Sequence, residues 1–138
     1  MSNSPGIALL ERMVAKEHLL VKEDVEEPRE ISIDRLELVG DLEVGLLMYR
    51  IRRQAKEINA NLGWRHAGYV LDHQEEIPVE WHEKTLVFSG TLWEPPEGGG
   101  YRYLTLRRIG KYGWEPDLRW LGDYWEPYYR LVRLRTSI

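Results

Sequence analysis

The chain contains no cysteine. This excludes a disulfide scaffold, a thiolate metal site and a cysteine nucleophile. No apolar run approaches the length of about 18 residues that marks a membrane-spanning helix. Residues 1–10 lack the basic start and apolar stretch of a secretory signal. These absences lead to the expectation of a cytoplasmic protein with no membrane partner. Asparagine occurs three times and glutamine twice, while 30% of residues are charged. That balance is thermophile-like, and a GC-rich genome gives part of the same bias. No Gly-x-Ser-x-Gly elbow is present. The Gly98-Gly99-Gly100 run is followed by no helical pattern, so it lacks the helix N-terminus a phosphate loop needs.

What the chain does have is a repeated tripeptide. Trp93-Glu94-Pro95, Trp114-Glu115-Pro116 and Trp125-Glu126-Pro127 recur at unequal spacings of 21 and 11 residues. Unequal spacing indicates recurring turn chemistry, not a solenoid or propeller period. Proline cannot donate to a ladder, so each Glu-Pro is expected where a strand ends or a turn begins. The tryptophans have two readings. They close the core at three turns, or they present an exposed aromatic surface to a partner.

Charge is uneven along the chain. Residues 1–45 carry 5 basic and 11 acidic side chains, residues 46–100 carry 6 and 8, and residues 101–138 carry 8 and 4. The net charges of −6, −2 and +4 sum to the chain's −4. Such an acidic front and basic tail attract each other in the fold or present two faces to different partners.

A single domain over residues 1–138 is expected, with 1–63 mainly helical and 64–138 mainly β. Ser4-Pro5 starts a helix that runs to about Val21. Lys22 to Glu30 is an exposed acidic loop, and Ile31 to Val39 fits either a short strand or a short helix. Asp41 caps a second helix, with Val44, Leu47, Met48, Ile51, Ala55, Ile58 and Leu62 on its apolar stripe and Gly63 as its stop. Short strands are expected over His66–Asp72 and Ile77–Trp81. A hairpin is expected from Lys84–Trp93 and Tyr101–Ile109, with Leu86, Phe88, Gly90 and Leu92 on one face. A further strand follows over Pro116–Gly122, and Tyr128–Arg135 reads best as a last strand, the alternative being a terminal helix begun by Pro127 with Tyr128, Leu131 and Val132 on its inner face. The fold class is α+β: two helices packed on one face of a curled antiparallel sheet (a meander) of about five strands.

Function is read from the aromatic tail. His66, His73 and His82 stand among carboxylates but match no short metal signature, so no metal or cofactor is expected. Trp, Tyr and Arg are the residues enriched at binding hot spots. The expectation is a non-enzymatic protein-binding module, a small regulator or adaptor on a larger intracellular machine such as one of transcription or replication. Its partner-binding candidates are Trp93, Trp114, Trp125, Tyr101, Tyr103, Tyr112, Arg107 and Arg119. The alternative is single-stranded nucleic-acid binding, with Tyr101 and Tyr103 stacking bases beside Arg107. A small-molecule or enzymatic pocket in the curled sheet is the third reading.

Overall fold

A computed structural model describes residues 4–25, 32–40 and 42–135, with the side chain of Tyr112 outside that description. The described residues form three helices and one open six-stranded sheet, an α+β fold. The helices are α1 (Pro5–Lys16), α2 (Met48–Glu57) and α3 (Trp64–Asp72). The strands are β1 (Leu20–Glu23), β2 (Leu36–Val39), β3 (Thr85–Glu94), β4 (Arg102–Arg108), β5 (Trp114–Trp120) and β6 (Tyr129–Leu134). No helix among the described residues is long and apolar enough to cross a membrane.

The sheet runs β2-β6-β3-β4-β5, with β1 also pairing β3. β3, β4 and β5 form the expected meander. The chain then returns across it, so that β6 pairs β3 in parallel, Thr85 opposite Tyr129 and Val87 opposite Leu131. The sheet is therefore mixed, not wholly antiparallel. Its helices lie on both faces rather than one. Leu86, Phe88, Leu104, Leu106 and Val132 pack with Leu10 of α1 and Ala67, Val70 and Leu71 of α3. Val87, Leu92, Tyr103, Tyr129 and Leu131 pack with Met48, Ile51 and Ala55 of α2. β3 is buried on both faces, and its small polar residues Thr85, Ser89 and Thr91 are buried along with its apolar ones.

Helix limits differ from the periodicity for identifiable reasons. α1 begins at the Ser4 cap, whose hydroxyl accepts from Ile7 N–H at 3.0 Å. It stops at Lys16, not Val21, because His18 turns left-handed (φ 54). Leu19 N–H then bonds Val14 O and His18 N–H bonds Ala15 O, the Schellman pattern. The released Leu20–Glu23 pairs with β3. α2 ends the same way at Asn59 (φ 57), with Ala60 N–H bonded to Ala55 O. Gly63 is therefore not the stop of α2 but the N-cap of α3. The Asp41 cap lies outside the described residues, and α2 begins at Met48. Ile33–Arg35 is a single 3₁₀ turn leading into β2.

α3 occupies the stretch expected as a strand. Gly68 and the aromatic and β-branched residues around it lower helix propensity, but the tertiary contacts require a helix. A Cβ on Gly6 would lie 2.3 Å from Gly68 O, and one on Gly68 would lie 2.5 Å from Ile7 Cδ1. The two glycines thus let α1 and α3 cross closely. Asp72 at the end of α3 accepts from Gly6 N–H at 2.7 Å and from the Ser4 hydroxyl. A carboxylate is thereby set against the positive end of α1. Ile77–Trp81 is likewise no strand; it holds a 3₁₀ turn over Val79–Trp81.

β3 and β4 pair from Leu86 to Phe88 and again at Trp93, with a bulge between. Five residues of β3 there span two of β4, and the odd excess moves Leu92 to the α2 face, away from Leu86 and Phe88. The backbone groups freed by the bulge are satisfied elsewhere. Gly90 N–H bonds Leu62 O at 2.9 Å, and Ser89 O accepts from Arg52 Nε at 2.9 Å. Thr91 Oγ1 accepts from Trp64 N–H, supplying the cap that Gly63 cannot, and donates to Asp24 at 2.7 Å. The acidic front is thus tied to the later chain by Glu23–Arg52, Asp24–Arg65 and Glu37–Arg133.

Candidate binding surface

The three repeat tryptophans are core residues. Trp93, Trp114 and Trp125 are 2%, 7% and 1% exposed. An aromatic docking surface is not built from them; each buries its large apolar ring where a strand or turn meets the sheet. Two of the three Glu-Pro pairs stand where expected. Pro95 follows the end of β3, and Pro127 lies in the turn before β6. Pro116 instead sits inside β5. Leu121 N–H bonds Tyr101 O and Ile109 N–H bonds Gly113 O, which assigns the odd-numbered residues of β5 to the β4 side. The even-numbered ones face outward along the sheet edge. Pro116 removes an outward N–H there, and Trp114 N–H is taken by Gln74 Oε1 at 2.9 Å. Both features blunt an edge that would otherwise add strands.

The proposed base-stacking face is also closed. Tyr101 and Tyr103 do share a face, but it is the one covered by α2. Tyr103 is fully buried and cannot stack a base. Tyr101 is half-buried, with Lys22 Nζ 5.9 Å from its ring centroid. Arg107 is exposed at the far end of β4, and the Tyr112 side chain lies outside the described residues.

Arg119 has a structural role in this layer. Its guanidinium donates to Tyr129 Oη at 2.9 Å and to Asp117 at 3.2 Å, reaching from β5 toward β6. Burial, then the neighbouring Tyr129, pushes the Tyr103 hydroxyl well above its ordinary value. Burial likewise raises Tyr129. Burial works against the charge on Arg119, but Tyr129 and Asp117 outweigh it and its pKa rises. All three groups therefore keep their protons. The Tyr103 hydroxyl has no partner at hydrogen-bonding geometry among the described residues.

Part of what is exposed gathers in two neighbouring segments. Of the eight large apolar side chains exposed among the described residues, Val44, Tyr49, Tyr124 and Tyr128 belong to two segments, 44–49 and 123–128. These segments run side by side. Leu47 bridges Tyr124, Met48 N–H bonds Asp123 O at 2.8 Å, and Trp125 N–H bonds Leu46 O at 2.8 Å. α2 has no side-chain cap at Leu47, so the Asp123 carbonyl serves one of its free N–H groups. Beneath them, the buried Trp125 meets Tyr129 edge-on at 5.4 Å, and the exposed Tyr128 meets Tyr129 at 5.3 Å. The exposed Tyr128 thus rests on a buried aromatic pair that Arg119 bonds, while Tyr49 and Tyr124 are placed by the backbone pairing of the two segments. Sequence patterning passed over them, although Tyr49 stands out of phase with the apolar stripe of α2.

Two other possibilities are limited by the geometry. Among the described residues no three His, Cys, Asp or Glu side chains gather as a metal site requires, so His66, His73 and His82 do not converge. A groove of about 430 Å³ lies between α1 and the β4–β5 turn, lined by Leu9, Met13, Ile109, Gly113, Trp114, Glu115 and Pro116. Among the described residues Glu115 is the single ionisable side chain in that lining, so they supply no acid–base pair there. Neither protein-family models, nor curated proteins, nor solved structures gave a match to this chain.

Proposed function

We propose that the chain is a non-enzymatic protein-binding module that docks its partner on the outer surface of segments 44–49 and 123–128. The observation that carries this reading is the set of exposed tyrosines on two backbone-paired segments, one of them, Tyr128, packed on the buried and hydrogen-bonded Tyr129. Rings fixed before binding lose little conformational freedom when a partner covers them. Tyrosine supplies large apolar contact with a polar tip, the chemistry of interface anchors. A single domain of this kind suits a regulator or adaptor on a larger assembly, such as one of transcription or replication. Single-strand binding is the weaker reading, because Tyr103, one of its two stacking residues, is buried.

The test is capture on the tagged protein from its native extract, with and without nuclease, comparing wild type with Tyr49→Ala/Tyr124→Ala. A nuclease-resistant partner lost by the double variant is expected. Both rings are exposed, so the variant's unfolding free energy should stay within about 1 kcal/mol of wild type. A partner retained undiminished by the double variant moves the interface elsewhere. Partners that vanish with nuclease move the reading to nucleic acid.

A further inference from the structure

We infer that the partner presents an acidic segment, with carboxylates lying along α2 and an apolar residue seated on the neighbouring aromatic surface; this rests on the protein-binding reading above. Tyr49, Arg53 and Lys56 fall at helical spacings of four and three, one stripe on the side of α2 away from its buried Met48, Ile51 and Ala55. Arg50 stands beside the stripe, and all four residues are exposed. Arg50, Arg53 and Lys56 make no ion pair among the described residues, whereas Arg52 on the inner flank of the same helix pairs with Glu23. Glu57, exposed at the end of the same face, offsets part of this charge, so the face stays net positive, and the stripe starts at a ring of the aromatic surface. The two aromatic segments and their flank also carry carboxylates, the exposed Glu43 and the half-buried Asp123 and Glu126. A phosphate chain running past the three cations would meet those carboxylates. A protein segment that is acidic over one part and apolar over the next avoids that repulsion, so the mixed charge favours a protein over nucleic acid.

The experiment measures fluorescence anisotropy with three labelled probes on the full chain. They are a short peptide alternating glutamate with leucine and phenylalanine, the same peptide with glutamine for glutamate, and an oligothymidylate. The acidic peptide should bind at least about tenfold more tightly than its glutamine counterpart, and added salt should narrow that gap. Arg53→Glu/Lys56→Glu should weaken the acidic peptide about tenfold and leave the glutamine peptide unchanged. Tyr49→Ala/Tyr124→Ala should weaken both peptides. Equal binding of the two peptides overturns the acidic-partner inference while leaving the protein-binding reading in place. Tighter binding of the oligothymidylate overturns both. Failure of both peptides to bind overturns the inference, and the extract experiment then judges the protein-binding reading by itself.

Discussion

Single side chains show what burial does to the residues of the aromatic tail. Tyr103 and Tyr129 are both buried, but only the Tyr129 hydroxyl accepts a charged hydrogen bond, from Arg119. An unpartnered buried hydroxyl costs free energy, while one bonded to a charged group stabilises. Tyr103 Oη lies beside Tyr129 without good hydrogen-bonding geometry, so Tyr103→Phe should change stability by no more than about 1 kcal/mol. Tyr129→Phe should lose about 1–2 kcal/mol, since Arg119 is partly solvated and retains Asp117. Urea unfolding of the two variants separates them, and an equal loss in both would contradict this assignment. None of this was legible in the sequence. Tyr101, Tyr103 and Arg119 have the composition of a binding surface, and composition does not say which face of the sheet α2 covers.

At the scale of elements, caps and close approaches carry the fold. Asp72 receives both the Ser4 hydroxyl and Gly6 N–H, so Asp72→Ala should destabilise by about 1–2 kcal/mol. Asp72→Asn should recover part of that loss, as chemical denaturation would show. At the β3 bulge, a Cβ on Gly90 would lie 2.2 Å from Asn61 O. Gly90→Ala must push the α2–α3 connection off the sheet, with an expected loss of about 2 kcal/mol or more. The hairpin strands were readable from alternation and turn residues, whereas for β6 the local pattern fitted a strand or a terminal helix begun by Pro127. α3 was not readable, because Gly68 looks like a breaker until α1 is seen lying against it. Leu92 was assigned to the wrong face because alternation carries no sign of a bulge.

Over the whole molecule, the buried tyrosines couple stability to alkaline pH. The native state keeps the Tyr103 and Tyr129 protons above the pH where an unfolded tyrosine, with a pKa of about 10, gives them up. The unfolded state then binds fewer protons than the native one, so the free energy of unfolding falls as pH rises. Stability should be insensitive to these two groups below about pH 10 and then decline by up to about 1.4 kcal/mol per pH unit for each tyrosine. Urea titrations across that range check it. The decline should be shallower in Tyr103→Phe, and an unchanged slope would contradict the raised pKa.

The sequence by itself determined the α+β class, the α1 start at Ser4-Pro5 and the β3–β4 hairpin. Each follows from local preferences such as caps, alternation and the missing N–H of proline, which act between residues close along the chain. It also contained the opposite charges that become Glu23–Arg52 and Glu37–Arg133. Only the tertiary structure decided that β6 pairs in parallel with β3, that the helices divide between the two faces, and that the repeat tryptophans turn inward. Those outcomes depend on which distant surfaces bury each other best. The same competition leaves Tyr49, Tyr124 and Tyr128 exposed while residues of identical type lie beneath them.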